Sequence, residues 1–229
     1  MLNQSRIDSI YTKSKNFHVE SKFLSLISSS TLSRDALKLL GSFVEDFQPL
    51  NILEFGSGLS TFFLAELLSR QGSGHLFSIE HSPEYKKLTK QMVVNYSNVT
   101  IMLSPINHYS FKGKRFTTYE KKFVKKLKKK KFDIVLIDGP SGRKFGREAT
   151  LYLTIPFLSE KTLILLDDSK RQQEQEAIFN WSRVWTKGID VLEFNELKKG
   201  LAVININAPL KVKSFPFGIR EVLRSRKKF

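Results

Sequence analysis

One stretch limits what this chain can fold into more than any other: Asn51-Ile52-Leu53-Glu54-Phe55-Gly56-Ser57-Gly58-Leu59-Ser60-Thr61. A short apolar run carries a carboxylate near its end and turns through two glycines one residue apart. It then opens into residues 59–70, where Leu59, Phe63 and Leu67, widened by Leu64 and Leu68, recur at helical spacing. Strand, glycine turn and helix begin a nucleotide-binding crossover: the glycines admit a ligand close to the backbone, and the helix start offers unpaired N–H groups. A dinucleotide fingerprint would need a third glycine where Thr61 stands. A bare glycine pair also suits an ordinary strand–turn–helix, so the rest of the chain has to decide.

It does so with carboxylates. The next apolar run, His75-Leu76-Phe77-Ser78-Ile79-Glu80, closes on Glu80, where an acidic residue is placed to accept hydrogen bonds from ribose hydroxyls. Glu54, just before the glycines, suits an ammonium group. A ligand with both a ribose and an ammonium is S-adenosylmethionine. Two further runs, Ile134-Val135-Leu136-Ile137 and Leu163-Ile164-Leu165-Leu166, are nearly unbroken, as in central parallel strands covered on both faces. They end in Asp138 and in Asp167-Asp168. In open α/β sheets ligands bind in the crevice at the carboxyl ends of the strands, and four such ends here carry acids.

Charge is concentrated rather than spread. Residues 119–131 hold eight lysines against Glu120, and residues 211–229 hold seven Lys or Arg against Glu221, which accounts for most of the net +16. The body between is close to neutral. The absence of cysteine excludes disulfides and thiolate metal sites. No run approaches the ~18 apolar residues of a membrane span, and the first residues carry no secretory core, so a cytoplasmic protein is expected.

In chain order, residues 1–31 read as polar and irregular. Ser33 is an N-cap for a helix to Phe47 that Pro49 stops. Ser82-Pro83 starts another helix, and residues 99–104 form a third strand. Residues 105–115 read as a loop bearing His108, a minor catalytic candidate. Residues 116–131 read as a lysine-rich helix with Phe116, Tyr119, Phe123 and Leu127 on one side. Residues 148–158 and 169–186 are further helices, and 189–194 with 201–206 a closing pair of strands. The organisation expected is an N-terminal helical cap (1–48), a catalytic domain (49–208) and a basic extension (209–229).

Taken with Ile137-Asp138-Gly139-Pro140 and Asp167-Asp168-Ser169-Lys170-Arg171, these motifs resemble the class I S-adenosylmethionine-dependent methyltransferases, and most of all a subgroup of O-methyltransferases. The resemblance runs from about Asn51 to Ile206. It implies a Rossmann-like, doubly wound α/β fold: a mostly parallel seven-stranded sheet, its last strand antiparallel, with helices on both faces. It implies that Glu54, Gly56, Ser57 and Gly58 hold the methionine part of the cofactor, that Glu80 and His81 hold the ribose, and that Ser104 and Pro105 meet the adenine. The chain is also similar to catechol and caffeoyl-CoA O-methyltransferases, which hold a divalent ion after the fourth and fifth strands. Asp138, Asp167 and Asp168 match those positions and are the candidates for catalysis and for Mg²⁺, although Asp168 replaces an amide and Ser141 replaces a lysine.

The favoured reading is methyl transfer to a hydroxyl of a small molecule or glycan, with Asp138 as base or metal ligand. A second is an RNA methyltransferase gripping nucleic acid or another polyanion through the two basic segments. A third, from another class, is a non-catalytic binding module that keeps the fold.

Overall fold

A computed structural model of the chain describes residues 4–111, 114–127, 129–158, 161–208, 210 and 220–221. Helices α1 (Gln4–Ser14), α2 (Ser21–Leu24) and α3 (Arg34–Phe47) come first. Residues 1–31, read as irregular, thus contain two helices. The stripe of α1 is only Ile7 and Ile10, too thin to signal a helix by itself, and Arg6 fastens it to Asp46 of α3 at 2.7 Å. Tertiary docking supplies what local propensity lacks. As expected, Ser33 caps α3, its Oγ accepting from the Ala36 N–H at 3.3 Å, and Gln48 closes the helix in the left-handed region.

The chain then runs β1 (Asn51–Phe55), α4 (Leu59–Gln71), β2 (His75–Glu80), α5 (Pro83–Met92), β3 (Val99–Leu103), β4 (Ile106–Phe111), β5 (Lys114–Tyr119) and α6 (Lys122–Leu127). It continues through β6 (Ile134–Ile137), α7 (Gly146–Thr154), β7 (Leu163–Asp167), α8 (Gln172–Val184), β8 (Ile189–Phe194) and β9 (Leu201–Ile206). Seven strands make the main sheet in the order β3-β2-β1-β6-β7-β9-β8. Strands β1, β2, β3, β6 and β7 are parallel to their neighbours in that set, while β9 runs antiparallel to both β7 and β8. The strand order reverses between β1 and β6, which opens a crevice at their carboxyl ends.

Alternation along the central strands feeds two cores. Leu53, Phe55, Val135 and Ile137 face one side with α7, α8 and the aromatic residues of β4 and β5. Ile52, Ile134 and Leu136 face the other, against α1, α3 and α4. Each fully buried side chain of this size contributes about 1.5–3 kcal/mol relative to exposure, which is why both faces must be covered.

Two expectations fail between β3 and β6. The described residues within 105–115 are not a loop but β4 and the start of β5, and the helix expected from residue 116 begins only at Lys122. Phe116, Tyr119, Phe123 and Leu127 do share the core, at a spacing that mimics a helix. The β-branched pair Thr117-Thr118 and the partner strand β4 decide for β-structure. Backbone pairing of Arg220–Glu221 adds a short β10 beside β4. The remainder of the basic extension, residues 211–219 and 222–229, lies outside the described residues. Among the described residues, no helix is long and apolar enough to cross a membrane.

Candidate active site

A cleft of about 540 Å³ opens at the carboxyl ends of β1, β2, β6 and β7. Gly56, Ser57, Glu80 and His81 line one half; Asp138, Gly139, Arg147 and Asp168 line the other. Tyr119 enters from the hairpin, and Ser29, Ser30 and Lys199 close the rim.

The glycine turn works by close approach. Gly56 has φ +94°, a region that side chains rarely adopt, and its N–H donates to the Ile79 carbonyl at 2.9 Å. A β-carbon there would stand 3.2 Å from the Gly139 nitrogen. Gly139 answers from the other loop: a β-carbon on it would overlap the Tyr119 hydroxyl and stand 3.0 Å from the Gly56 nitrogen. The two loops therefore meet backbone to backbone. Thr61, in place of a third glycine, ties the turn to the strand before it. Its Oγ1 accepts from the Gly58 N–H at 2.9 Å and donates to Glu54 Oε2 at 2.6 Å.

Glu54 lies beneath the turn rather than on the cleft wall, completely buried. Its Oε1 has no partner among the described residues. Burial above all, against the lowering effect of the nearby hydroxyls of Ser60, Ser78 and Thr61, pushes its carboxyl up to about 7. Glu80 is the opposite case. Its Oε2 accepts from the Ser57 N–H at 2.8 Å and the Ser57 hydroxyl at 3.1 Å; its Oε1 accepts from the His81 and Ser82 N–H groups, both at 2.7 Å. Burial would raise its pKa, but these bonds and His81 hold it below the ordinary value. The His81 Nδ1 lies 3.0 Å from Oε1, yet out of line for a hydrogen bond. Ser104 sits off the cleft wall, donating to the Glu120 carbonyl at 2.9 Å. His108 is on β4, its Nδ1 3.1 Å from the Thr117 hydroxyl, away from the cleft.

At the second half, Asp138, Asp167 and Asp168 converge as their strands require, with one oxygen of each within 4.8 Å of the others. Asp168 takes φ +56°, and Asp167 lies just off the wall, its Oδ1 buried without a hydrogen-bond partner among the described residues. Burial, then the charge of Asp167, pushes Asp138 well above the ordinary carboxylate range; burial, then Asp168, pushes Asp167 to about 6.

The residue that sequence reasoning missed is Arg147. Its Nη2 donates to Asp138 Oδ1 at 3.0 Å and to Asp168 Oδ2 at 2.9 Å, and its Nη1 to the Asp167 carbonyl at 2.6 Å. Its Nε lies 3.5 Å from Glu174, and the side chain is 5% exposed. Burial alone would favour its neutral form; Asp138, Asp168 and Glu174 more than offset that. Arg171, the last residue of the Asp167–Arg171 motif, also reaches Asp168 at 2.9 Å. A signal for Arg147 did exist: it stands in the first turn of α7, where the helix dipole disfavours a cation, so something else must hold it there.

Two groups can be weighed against this geometry. For a ligand carrying an ammonium and a ribose, the orphan oxygen of Glu54 and the side-chain-free cradle of Gly56 and Gly139 fit. For a divalent ion, the carboxylates have suitable chemistry and spacing, but the place among them is taken by the Arg147 guanidinium. The residues present do not fit an ion there.

A family model described as a methyltransferase domain matches residues 53–169, just over half of the chain. No curated protein sequence matches it. Among solved structures, the SAH-bound methyltransferase PaMTH1 of Podospora anserina is 17% identical, covering 91% of this chain and 98% of that one, with a TM-score of 0.63. The O-methyltransferase TomG of Streptomyces achromogenes, in complex with SAM, is 13% identical over 91% of this chain and 100% of that one, TM-score 0.63. A caffeoyl-CoA O-methyltransferase structure from Staphylococcus aureus is 15% identical over 89% and 100%, TM-score 0.61. At such identities the likeness establishes a common fold and nothing finer.

Proposed function

The chain belongs to the methyltransferase domain family, and on that premise we propose that it transfers a methyl group from S-adenosylmethionine to a hydroxyl of a small molecule or glycan. The observation that carries this reading is the meeting of Gly56 and Gly139 in a cleft that Asp138, next to Gly139, also lines. Support for the oxygen acceptor comes from the fold neighbours named as O-methyltransferases.

When bound, the cofactor supplies an electrophilic methyl carbon on a sulfonium. The chain does the rest by positioning and proton transfer. Gly56, Ser57 and Gly58 offer a backbone edge to the methionine portion, with the free oxygen of Glu54 beneath it for the ammonium. Glu80, pinned by Ser57, His81 and Ser82, presents the ribose acceptor together with His81. Asp138, 19% exposed at its side chain, would take the proton of the acceptor hydroxyl. Asp167 and Asp168 complete the acidic wall behind it.

Calorimetry with S-adenosylmethionine, S-adenosylhomocysteine and NAD tests the binding half: the first two should bind and NAD should not. Labelled cofactor against a panel of hydroxylated metabolites and glycans then tests the transfer. Binding of NAD without S-adenosylmethionine would remove the proposal.

A further inference from the structure

Three carboxylates at the ends of β6 and β7 form a divalent-ion donor set in every respect but one: a guanidinium already joins two of them and the backbone of the third. We propose that Arg147 is the resident cation of this site, a positioning residue that makes the site independent of a bound metal ion. The inference rests on the methyltransferase reading for its purpose, but its geometry stands by itself.

A bridging cation has to link carboxylates from two different strands, and one nitrogen of Arg147 does so. Nη2 donates to Asp138 at 3.0 Å and to Asp168 at 2.9 Å, while Nη1 ties the same side chain to the β7 backbone through the Asp167 carbonyl at 2.6 Å. Glu174 of α8 stands 3.5 Å from Nε. The fork of an arginine suits this role because its donors are fixed in one plane, whereas a lysine would act as a point charge. With 5% of the side chain exposed, the guanidinium is held among its partners at the edge of the cleft rather than in solvent. Its position at the start of α7, against the helix dipole, means that the acids and not the helix retain it. An ion bound to the same oxygens would lie within a few ångströms of the guanidinium and would have to expel it from three strong hydrogen bonds. Arg171 adds a second cation on Asp168 at 2.9 Å. The atom most open to a competing ion is Asp167 Oδ1, buried without a hydrogen-bond partner among the described residues.

Mn²⁺ is the probe, because its electron paramagnetic resonance signal is lost on immobilisation. Titrating the intact wild-type protein with S-adenosylhomocysteine present should leave the free-ion signal at its buffer intensity. Arg147→Met keeps much of the stem and deletes the charge; it should bind Mn²⁺ at least tenfold more tightly than wild type. Adding Asp138→Asn to that variant should abolish the gain. Arg147→Lys, which restores charge, should again exclude the ion. Should Arg147→Met fail to fold, the wild-type and Arg147→Lys titrations still decide the matter. Stoichiometric Mn²⁺ binding to the wild type, lost in Asp138→Asn or Asp167→Asn, would overturn the proposal. Calorimetry with S-adenosylhomocysteine on the same samples, with and without excess chelator, separates the two readings. Equal affinity in both is expected here; affinity that vanishes in chelator counts against Arg147, and no affinity in either counts against the methyltransferase reading alone.

Discussion

Replacing Gly139 by alanine should disable the cleft at its narrowest point, and the structure sets the size of the effect. The added β-carbon would overlap the Tyr119 hydroxyl and sit 3.0 Å from the Gly56 nitrogen and 3.1 Å from its α-carbon. Tyr119 cannot swing away: it is fully buried, its ring centroid 5.4 Å from that of Phe55. Gly56 cannot retreat either, because its N–H is bonded to the Ile79 carbonyl. Overpacking a rigid site of this kind costs about 1–3 kcal/mol, and two obstructed directions place Gly139→Ala near the upper end. Urea unfolding should show that loss, and the affinity for S-adenosylhomocysteine by calorimetry should fall at least tenfold, which is about 1.4 kcal/mol. Tyr119→Phe supplies the internal control. Its hydroxyl is buried without a partner among the described residues, so removing it should be neutral or stabilising by up to about 1 kcal/mol. The double variant should then recover roughly half of the Gly139→Ala loss, leaving the obstruction by Gly56. If the two single effects add within about 0.3–0.5 kcal/mol, the hydroxyl and the new methyl do not meet and the reasoning fails.

Thr61→Val should destabilise the protein by about 1–3 kcal/mol in urea unfolding, because the Gly58 N–H and Glu54 Oε2 both lose their partner; Thr61→Ser should restore most of it. Glu54 has a folded-state pKa near 7 against an ordinary 4.5, so the folded state binds the proton more tightly. Stability is therefore greatest below pH ~4.5 for this group and is lost as pH rises toward 7, by roughly 3 kcal/mol. The pH dependence of wild type minus Glu54→Gln should reveal a fall of that sign, and a rise would refute the assignment. Changing Lys122, Lys125 and Lys126 on the exposed face of α6 to glutamine should cut retention on heparin while leaving S-adenosylhomocysteine affinity unchanged.

Much of this molecule was legible because its signals are local and periodic. The glycine turn, the runs from Ile134 and Leu163 and the closing strands 189–194 and 201–206 each announce themselves by residue type alone. The convergence of Asp138, Asp167 and Asp168 followed from strand ends in a parallel sheet. What stayed hidden needed a partner from elsewhere. Helix α1 exists through α3, and β5 exists through β4, whose pairing outweighs the helical spacing of Phe116, Tyr119 and Phe123. Arg147 stands only nine residues beyond Asp138 but meets it across a loop, where no period applies. Thr61 was noticed as a missing glycine rather than as the hydroxyl that bridges Gly58 and Glu54.

The placing of β9 between β7 and β8 has a consequence for how the chain is made. A ribosome delivers β8 before β9, yet in the sheet β8 pairs only with β9, so β8 must wait without a partner while β9 is synthesised. Until residues 201–206 arrive, the fully buried strand β7 presents an open apolar edge of the kind that invites pairing between nascent chains. The rim of the cleft is finished at the same late moment. The Lys199 ammonium, in the turn between β8 and β9, holds the carbonyls of Ser29 and Thr31 at 2.7 Å each. Residues about 170 positions apart in the chain are thus fastened together by one side chain, and a growing polypeptide has no complete cleft until β9 slots into the main sheet.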